Sequence, residues 1–270
     1  MPEAESGPPR ARRPDAPLTQ AEAAEFARAM NVRVGAIRSA YAVQDDESAL
    51  ENYDQLVADP VKDFFAARNY EFFVRLKTDL VEAAARRCFG PGASSRLRVL
   101  DIGCGTGVML RVLSGIFPDA WACDPSQAMV SRAGERAVVM PDPARMPFDD
   151  ASFDIALSAC VYHHIPQELH ARHMVDVRRI LRPGGLFMVF EHNPYNPLTR
   201  MIVRRCPLDE SAELLPAREV RTRMRAAGFT NVRTRYYMFL PQAVYSWARA
   251  LEAVFSVTAL GGQYCTMGRR

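Results

Sequence analysis

The chain has 270 residues, 49% hydrophobic and 24% charged, enough for one large α/β domain with extensions and incompatible with global disorder. A formal charge of only +3, with basic residues spread along the chain, argues against a polyanion partner such as nucleic acid. No run reaches the length of a membrane span and the N-terminus lacks an apolar signal region, so the expected location is the cytoplasm, away from membranes.

In chain order, residues 1–17 combine five prolines with glycine, alanine and arginine, a composition expected to remain a loose tail. Residues 18–92 read as a helical extension. Thr19-Gln20-Ala21-Glu22 has the form of a capping box, Ser48 caps a second helix, and Asp59-Pro60 opens a third that runs to about Cys88. Phe65, Phe72, Leu76 and Leu80 form a stripe on this third helix, either packing on the main domain or lining a lid over a ligand.

From residue 93 to 270, strand and helix patterns alternate, the signature of a Rossmann-like, mainly parallel sheet of seven strands with helices on both faces. The predicted strands are 97–102, 119–123, 137–140, 153–159, 185–191, 230–239 and 263–268. The predicted helices lie near 106–116, 126–135, 167–181, 216–227 and 242–257. Residues 192–215 break the rhythm as a long proline-containing loop leaving a central strand, a place where open α/β sheets bind ligands. Cys88, Cys104, Cys123, Cys160, Cys206 and Cys265 are scattered without a CxxC pair, which suggests reduced thiols and neither zinc nor disulfides.

The first strand, Val99-Leu100-Asp101-Ile102, runs into Gly103-Cys104-Gly105-Thr106-Gly107 and then a helical pattern from Val108. Glycines in such a turn let a polar ligand approach the backbone, and the helix start offers free N–H groups. The third glycine of a dinucleotide turn, GxGxxG, is absent.

With Asp101 two residues before Gly103, the stretch resembles motif I of class I S-adenosylmethionine (SAM) dependent methyltransferases. The resemblance continues in order through Trp121-Ala122-Cys123-Asp124-Pro125-Ser126, Asp142-Pro143-Ala144-Arg145-Met146-Pro147-Phe148, the strand from Ser152 to Leu157, and Leu181-Arg182-Pro183-Gly184-Gly185. It covers residues 97–191. Residues 192–270 more loosely resemble a bacterial small-molecule branch with E-H-N-P-x-N-P after the fifth strand and G-x-Q-Y in the last, here Gly261-Gly262-Gln263-Tyr264.

The resemblance implies SAM as cofactor. It places the methionine end over Asp101, Gly103, Cys104, Gly105 and Gly107, and the ribose on Asp124 beside Pro125. Met129 and Asp142 would meet the adenine, and Ala159 and Cys160 would border the site. Pro143 departs from the family's pattern because it offers no N–H to adenine.

Methyl transfer chiefly requires alignment, and a base is needed only where the acceptor must lose a proton. Tyr162, His163, Glu191 and His192 are the candidate catalytic residues because all lie at predicted strand ends on the binding edge, while His164 reads as structural. Asn193-Pro194-Tyr195 resembles the N-P-P-Y of amide and adenine methylases but follows the wrong strand. The expected activity is methyl transfer to a small metabolite, by a monomer or homodimer. Two alternatives remain open: a SAM-cleaving cyclase that releases methylthioadenosine, and a SAM-binding regulator without turnover.

Overall fold

The structure is a computed structural model that describes residues 71–142, 145–205, 212–239 and 255–270, all within one unit, Gln44–Arg270. The expected tail, the helices opening at Thr19 and Ser48, the start of the third helix, and nearly all of the 242–257 helix lie outside the described residues.

The elements are α1 (Glu71–Phe89), β1 (Arg98–Ile102), α2 (Val108–Ser114), β2 (Asp119–Asp124), α3 (Gln127–Ala133), β3 (Ala137–Val139) and β4 (Phe153–Ala159). They continue with α4 (Gln167–Ile180), β5 (Leu181–His192), α5 (Pro197–Val203), α6 (Ala217–Ala226), β6 (Thr230–Tyr237) and β7 (Gln263–Arg269). Seven strands form one sheet in the order β3-β2-β1-β4-β5-β7-β6. β1 to β5 pair in parallel, and β7 lies antiparallel between β5 and β6. The expected Rossmann-like sheet is present.

Burial explains the strand sequences. Helices cover the parallel strands, so these read as near-continuous apolar runs: Val99, Leu100, Ile102, Ile155, Ala156, Leu157 and Phe187 to Phe190 are all fully buried. Of the expected stripe, Phe65 lies outside the described residues, Leu76 joins Phe73, Val74, Val81 and Ala85 in one cluster with Val99, Leu113 and Leu157, and Phe72 and Leu80 are partly buried against it.

Two local departures from the expected elements have clear causes. β5 begins at Leu181, four residues early, because Phe153 pairs with Leu181 and the register then jumps to Ile155 opposite Leu186. The expected turn is the exposed bulge Arg182 to Gly184 in that jump, where Gly184 takes a φ of 77°. The loop 192–215 contains α5, capped by Asn196, whose side chain accepts from the Thr199 N–H at 3.0 Å, with Pro197 in the first turn.

From β1 the chain proceeds outward through β2 and β3, then crosses back to place β4 on the other side of β1. That reversal opens a crevice at the carboxyl ends of β1 and β4. Because β7 is antiparallel, its first residues also reach this edge, with His192 opposite Gln263 and Glu191 opposite Tyr264.

Candidate active site

The glycine turn sits at the mouth of the crevice. Gly103, Gly105 and Gly107 have φ of 74°, 51° and 78°, in the left-handed region that side chains disfavour. A Cβ on Gly103 would stand 2.5 Å from Val161 Cγ2, and one on Gly107 would stand 2.8 Å from the Ala133 backbone. The turn is pinned to β2 by bonds from the Gly103 and Cys104 N–H groups to the Cys123 carbonyl at 2.8 and 3.2 Å.

Asp101, next to last in β1, and Asp124, last in β2, flank this turn. Asp124 accepts from the Gly105 N–H and the Ser126 N–H, both at 2.9 Å, and Ser126 in turn caps α3 through the Met129 N–H. Asp101 is 2% exposed and its Oδ2 has no hydrogen-bond partner. Burial, with the negative charge of Asp124 second, pushes its carboxyl up to about 7. A buried acceptor left open beside a glycine-rich turn fits the ammonium of the amino-acid end of SAM. Burial also pushes the Cys104 and Cys123 thiols up, so neither is an activated nucleophile.

The residues expected beside the ribose and adenine follow β2 in the chain. Pro125 is half-buried and Met129 is 1% exposed. The Met140 N–H bonds the Asp124 carbonyl at 2.9 Å, which draws the chain leading to Asp142 alongside β2. Asp142 forms a β-bridge with Arg145, and its carboxylate stands 3.9 Å from Arg172 Nη2. Pro143 lies outside the described residues.

At the end of β4 and just past it, Ala159 and Cys160 are half-buried, and Cys160 holds a φ of 59° while its N–H bonds the Phe190 carbonyl at 2.8 Å. A strained non-glycine residue at a strand end commonly marks a functional turn. It redirects the chain into the short helical turn Tyr162–His164. There Glu191, fully buried at the end of β5, accepts from the Tyr162 N–H at 2.8 Å and from His163 Nδ1 at 2.5 Å. Burial, the largest single effect, would raise the Glu191 carboxyl, but His163, His192 and the Tyr162 N–H together outweigh it and the net shift is downward. Ionised Glu191 therefore places the His163 proton on Nδ1, the arrangement that leaves Nε2 as the basic nitrogen.

His163 packs against His164 and His192 with ring centroids 4.2 and 5.4 Å apart. His192 Nδ1 lies 3.3 Å from Gln263 Nε2, and Gln263 Oε1 accepts from the Tyr237 hydroxyl at 2.7 Å. Gln263 and Tyr237 were not among the expected site residues. Gln263 lies within the Gly261-Gly262-Gln263-Tyr264 motif, but only the antiparallel insertion of β7 brings it beside β5.

Tyr162 is placed differently from the other three catalytic candidates. Its ring is fully buried, edge-on to His170 and His173, and its hydroxyl bonds His173 Nδ1 at 2.6 Å. Burial lowers His173 to about 3, so this imidazole is neutral. Tyr162 thus anchors the turn to α4 through its side chain and holds Glu191 through its backbone.

Asn193 supports the same edge. Its Nδ2 donates to the Ala259 and Gly261 carbonyls at 2.9 and 2.8 Å, and Thr199 Oγ1 donates to Gly262 at 2.8 Å. The asparagines after β5 therefore tie the loop to the turn before β7.

Residues 100–189 match a family described as a methyltransferase domain. A probable tRNA methyltransferase 9B of Mus musculus is 37% identical over 95 residues, covering 34% of this chain and 21% of that protein. A malonyl-[acyl-carrier protein] O-methyltransferase of Herminiimonas arsenicoxydans is 30% identical over 151 residues, covering 53% and 56%. Alignment thus spans about a fifth of the mouse relative and just over half of the bacterial one. Among solved structures, a SAM-dependent methyltransferase from Archaeoglobus fulgidus superposes with a TM-score of 0.54 at 16% identity, over 77% of this chain and 97% of that one. A SAM-dependent methyltransferase from Thermotoga maritima superposes at 0.51 and 20% identity, over 74% and 97%.

Proposed function

We infer, from a chain whose residues 100–189 match a methyltransferase domain and whose sheet has the fold of class I SAM-dependent methyltransferases, that the protein transfers a methyl group to a small-molecule acceptor. The observation that carries this reading is the Glu191–His163 pair beside the glycine turn. Val161, two residues before His163, packs against Gly103, so one contact couples the cofactor cradle to the polar pair.

Asp101 and the turn Gly103 to Gly107 would hold the amino-acid end of SAM, Asp124 its ribose hydroxyls, and Met129 with Asp142 its adenine. Bound there, SAM supplies a methyl on a sulfonium, which an acceptor takes by direct displacement. The protein's contribution is alignment, exclusion of water and removal of the acceptor's proton. His163 Nε2 accepts that proton. Glu191 fixes the ring and stabilises the imidazolium, while His192, oriented by Gln263, borders the acceptor. Tyr162 is a positioning residue. Full burial of Glu191 and near-full burial of His163 suit a small, desolvated acceptor.

His163→Asn and Glu191→Gln should each lower kcat by roughly 10²–10⁴ while SAM affinity stays near that of the wild type. Unchanged kcat in both would refute the base. Incubation of protein with SAM and an acceptor panel should give S-adenosylhomocysteine. Release of methylthioadenosine from SAM and protein alone would instead establish cleavage, and neither product, despite tight binding, would leave a regulator.

A further inference from the structure

The described residues expose five large apolar side chains, and four of them lie on two neighbouring segments, each side chain between 45% and 82% exposed. Tyr195 sits in the turn after β5, and Phe255, Val257 and Leu260 sit in the segment leading into β7. The Asn196 side chain joins the two segments: its Nδ2 donates to the Leu260 carbonyl at 2.7 Å, while its Oδ1 caps α5. Side chains this exposed project from the protein instead of lining a groove.

Helix α5 continues the surface with charge. Thr199, Ile202 and Val203 are buried, and the stripe Pro197, Arg200, Met201 and Arg204 lines an open cleft of about 400 Å³ together with Arg205. None of the three arginines has an ion pair among the described residues, in contrast to Arg98, Arg179, Arg182 and Arg223. Arg200 and Arg204, one helical turn apart, repel each other, a cost that an anionic partner would relieve.

We propose that this face docks on an anionic lipid surface, with the apolar tips entering the acyl boundary and the arginines meeting the phosphate head groups. A second copy of the chain would set the same cations against one another, and three cations fall short of the roughly six phosphate contacts of a nucleic-acid track. An acidic protein would satisfy the arginines but would need a hollow to match each projecting tip, whereas lipid deforms around them. No described helix is long and apolar enough to cross a membrane, which bears on spanning a bilayer and not on lying against one. The face begins directly after His192, so docking would hold the carboxyl end of β5 at the lipid surface.

Flotation of the full chain with phosphatidylcholine vesicles, with and without about one-third phosphatidylglycerol, tests this. The wild type should bind the anionic vesicles at least about tenfold more tightly than the neutral ones, and rising salt should weaken that binding. Arg200→Gln with Arg204→Gln and Arg205→Gln should lower it about a hundredfold, roughly fivefold per arginine. Val257→Ser with Leu260→Ser should lower it at least about tenfold at unchanged charge. All five positions are exposed, so both variants should melt with the wild type. A wild type without preference for anionic vesicles, or undiminished binding by either folded variant, overturns the proposal. Capture of a polyglutamate peptide that survives Val257→Ser with Leu260→Ser, without vesicle binding, would overturn it in favour of an acidic protein.

Discussion

Asp101 shows how one carboxyl can set the pH response of a binding site. Its folded value of about 7 lies above the ordinary 3.8, so between those values the folded protein binds a proton that the unfolded chain releases. The ligand-free protein is therefore expected to lose stability as pH rises from about 4 to 7, by on the order of 4 kcal/mol at most from this group alone. A cationic ligand beside the carboxylate reverses the preference, favouring the ionised form. SAM affinity should then strengthen as pH rises toward 7 and level off above it, and binding should release a proton. Asp101→Asn should raise the ligand-free melting temperature at pH 8, weaken SAM binding and flatten its pH dependence. Titration calorimetry across this window, with thermal melts of both proteins, checks each part, and a pH-independent wild-type affinity would show that Asp101 does not face the ligand's charge.

At the scale of elements, the glycine turn and the short turn after β4 act as one device. An alanine at 103 must enter a left-handed conformation and displace a Val161 methyl 2.5 Å from its Cβ. The first penalty is intrinsic to the backbone and the second belongs to the contact. Gly103→Ala is expected to cost roughly 2–4 kcal/mol in urea unfolding, and Val161→Ala in the same chain should recover the steric share, leaving about 1 kcal/mol. An equal cost in both backgrounds would mean that the contact does not carry the effect.

The turn, β1 and the acids at 101 and 124 were legible in sequence because their signals are local: β-favouring bulk, alternating glycines, and a carboxylate ending the next strand. Helix α5 carried a local signal too, Asn196-Pro197, of the same kind as Asp59-Pro60, but the density of prolines around it read as loop. Gln263 and Tyr237 could not be placed from the sequence. Their meaning depends on a strand inserted antiparallel between two others, which is decided by tertiary packing.

For the molecule as a whole, net charge bears on the proposed class of acceptor. A nucleic-acid substrate would need a surface able to neutralise several phosphates at once, because that electrostatic contribution supplies most non-specific affinity. Here 34 basic residues face 31 acidic ones. Many arginines among the described residues are already engaged: Arg98 with Asp119 and over Trp121, Arg179 with Asp150 and Asp176, Arg182 with Asp154, and Arg223 with Glu219. Methyl label from SAM should therefore appear in acid-soluble products when the protein is supplied with a metabolite extract, and not in acid-precipitated tRNA. Retention of bulk tRNA on filters at 50 mM salt should be weak, with a salt slope corresponding to fewer than about three phosphates. Labelled tRNA, or a slope corresponding to six or more phosphates, would transfer the acceptor site from the crevice to a surface that the charge pattern gives no reason to expect.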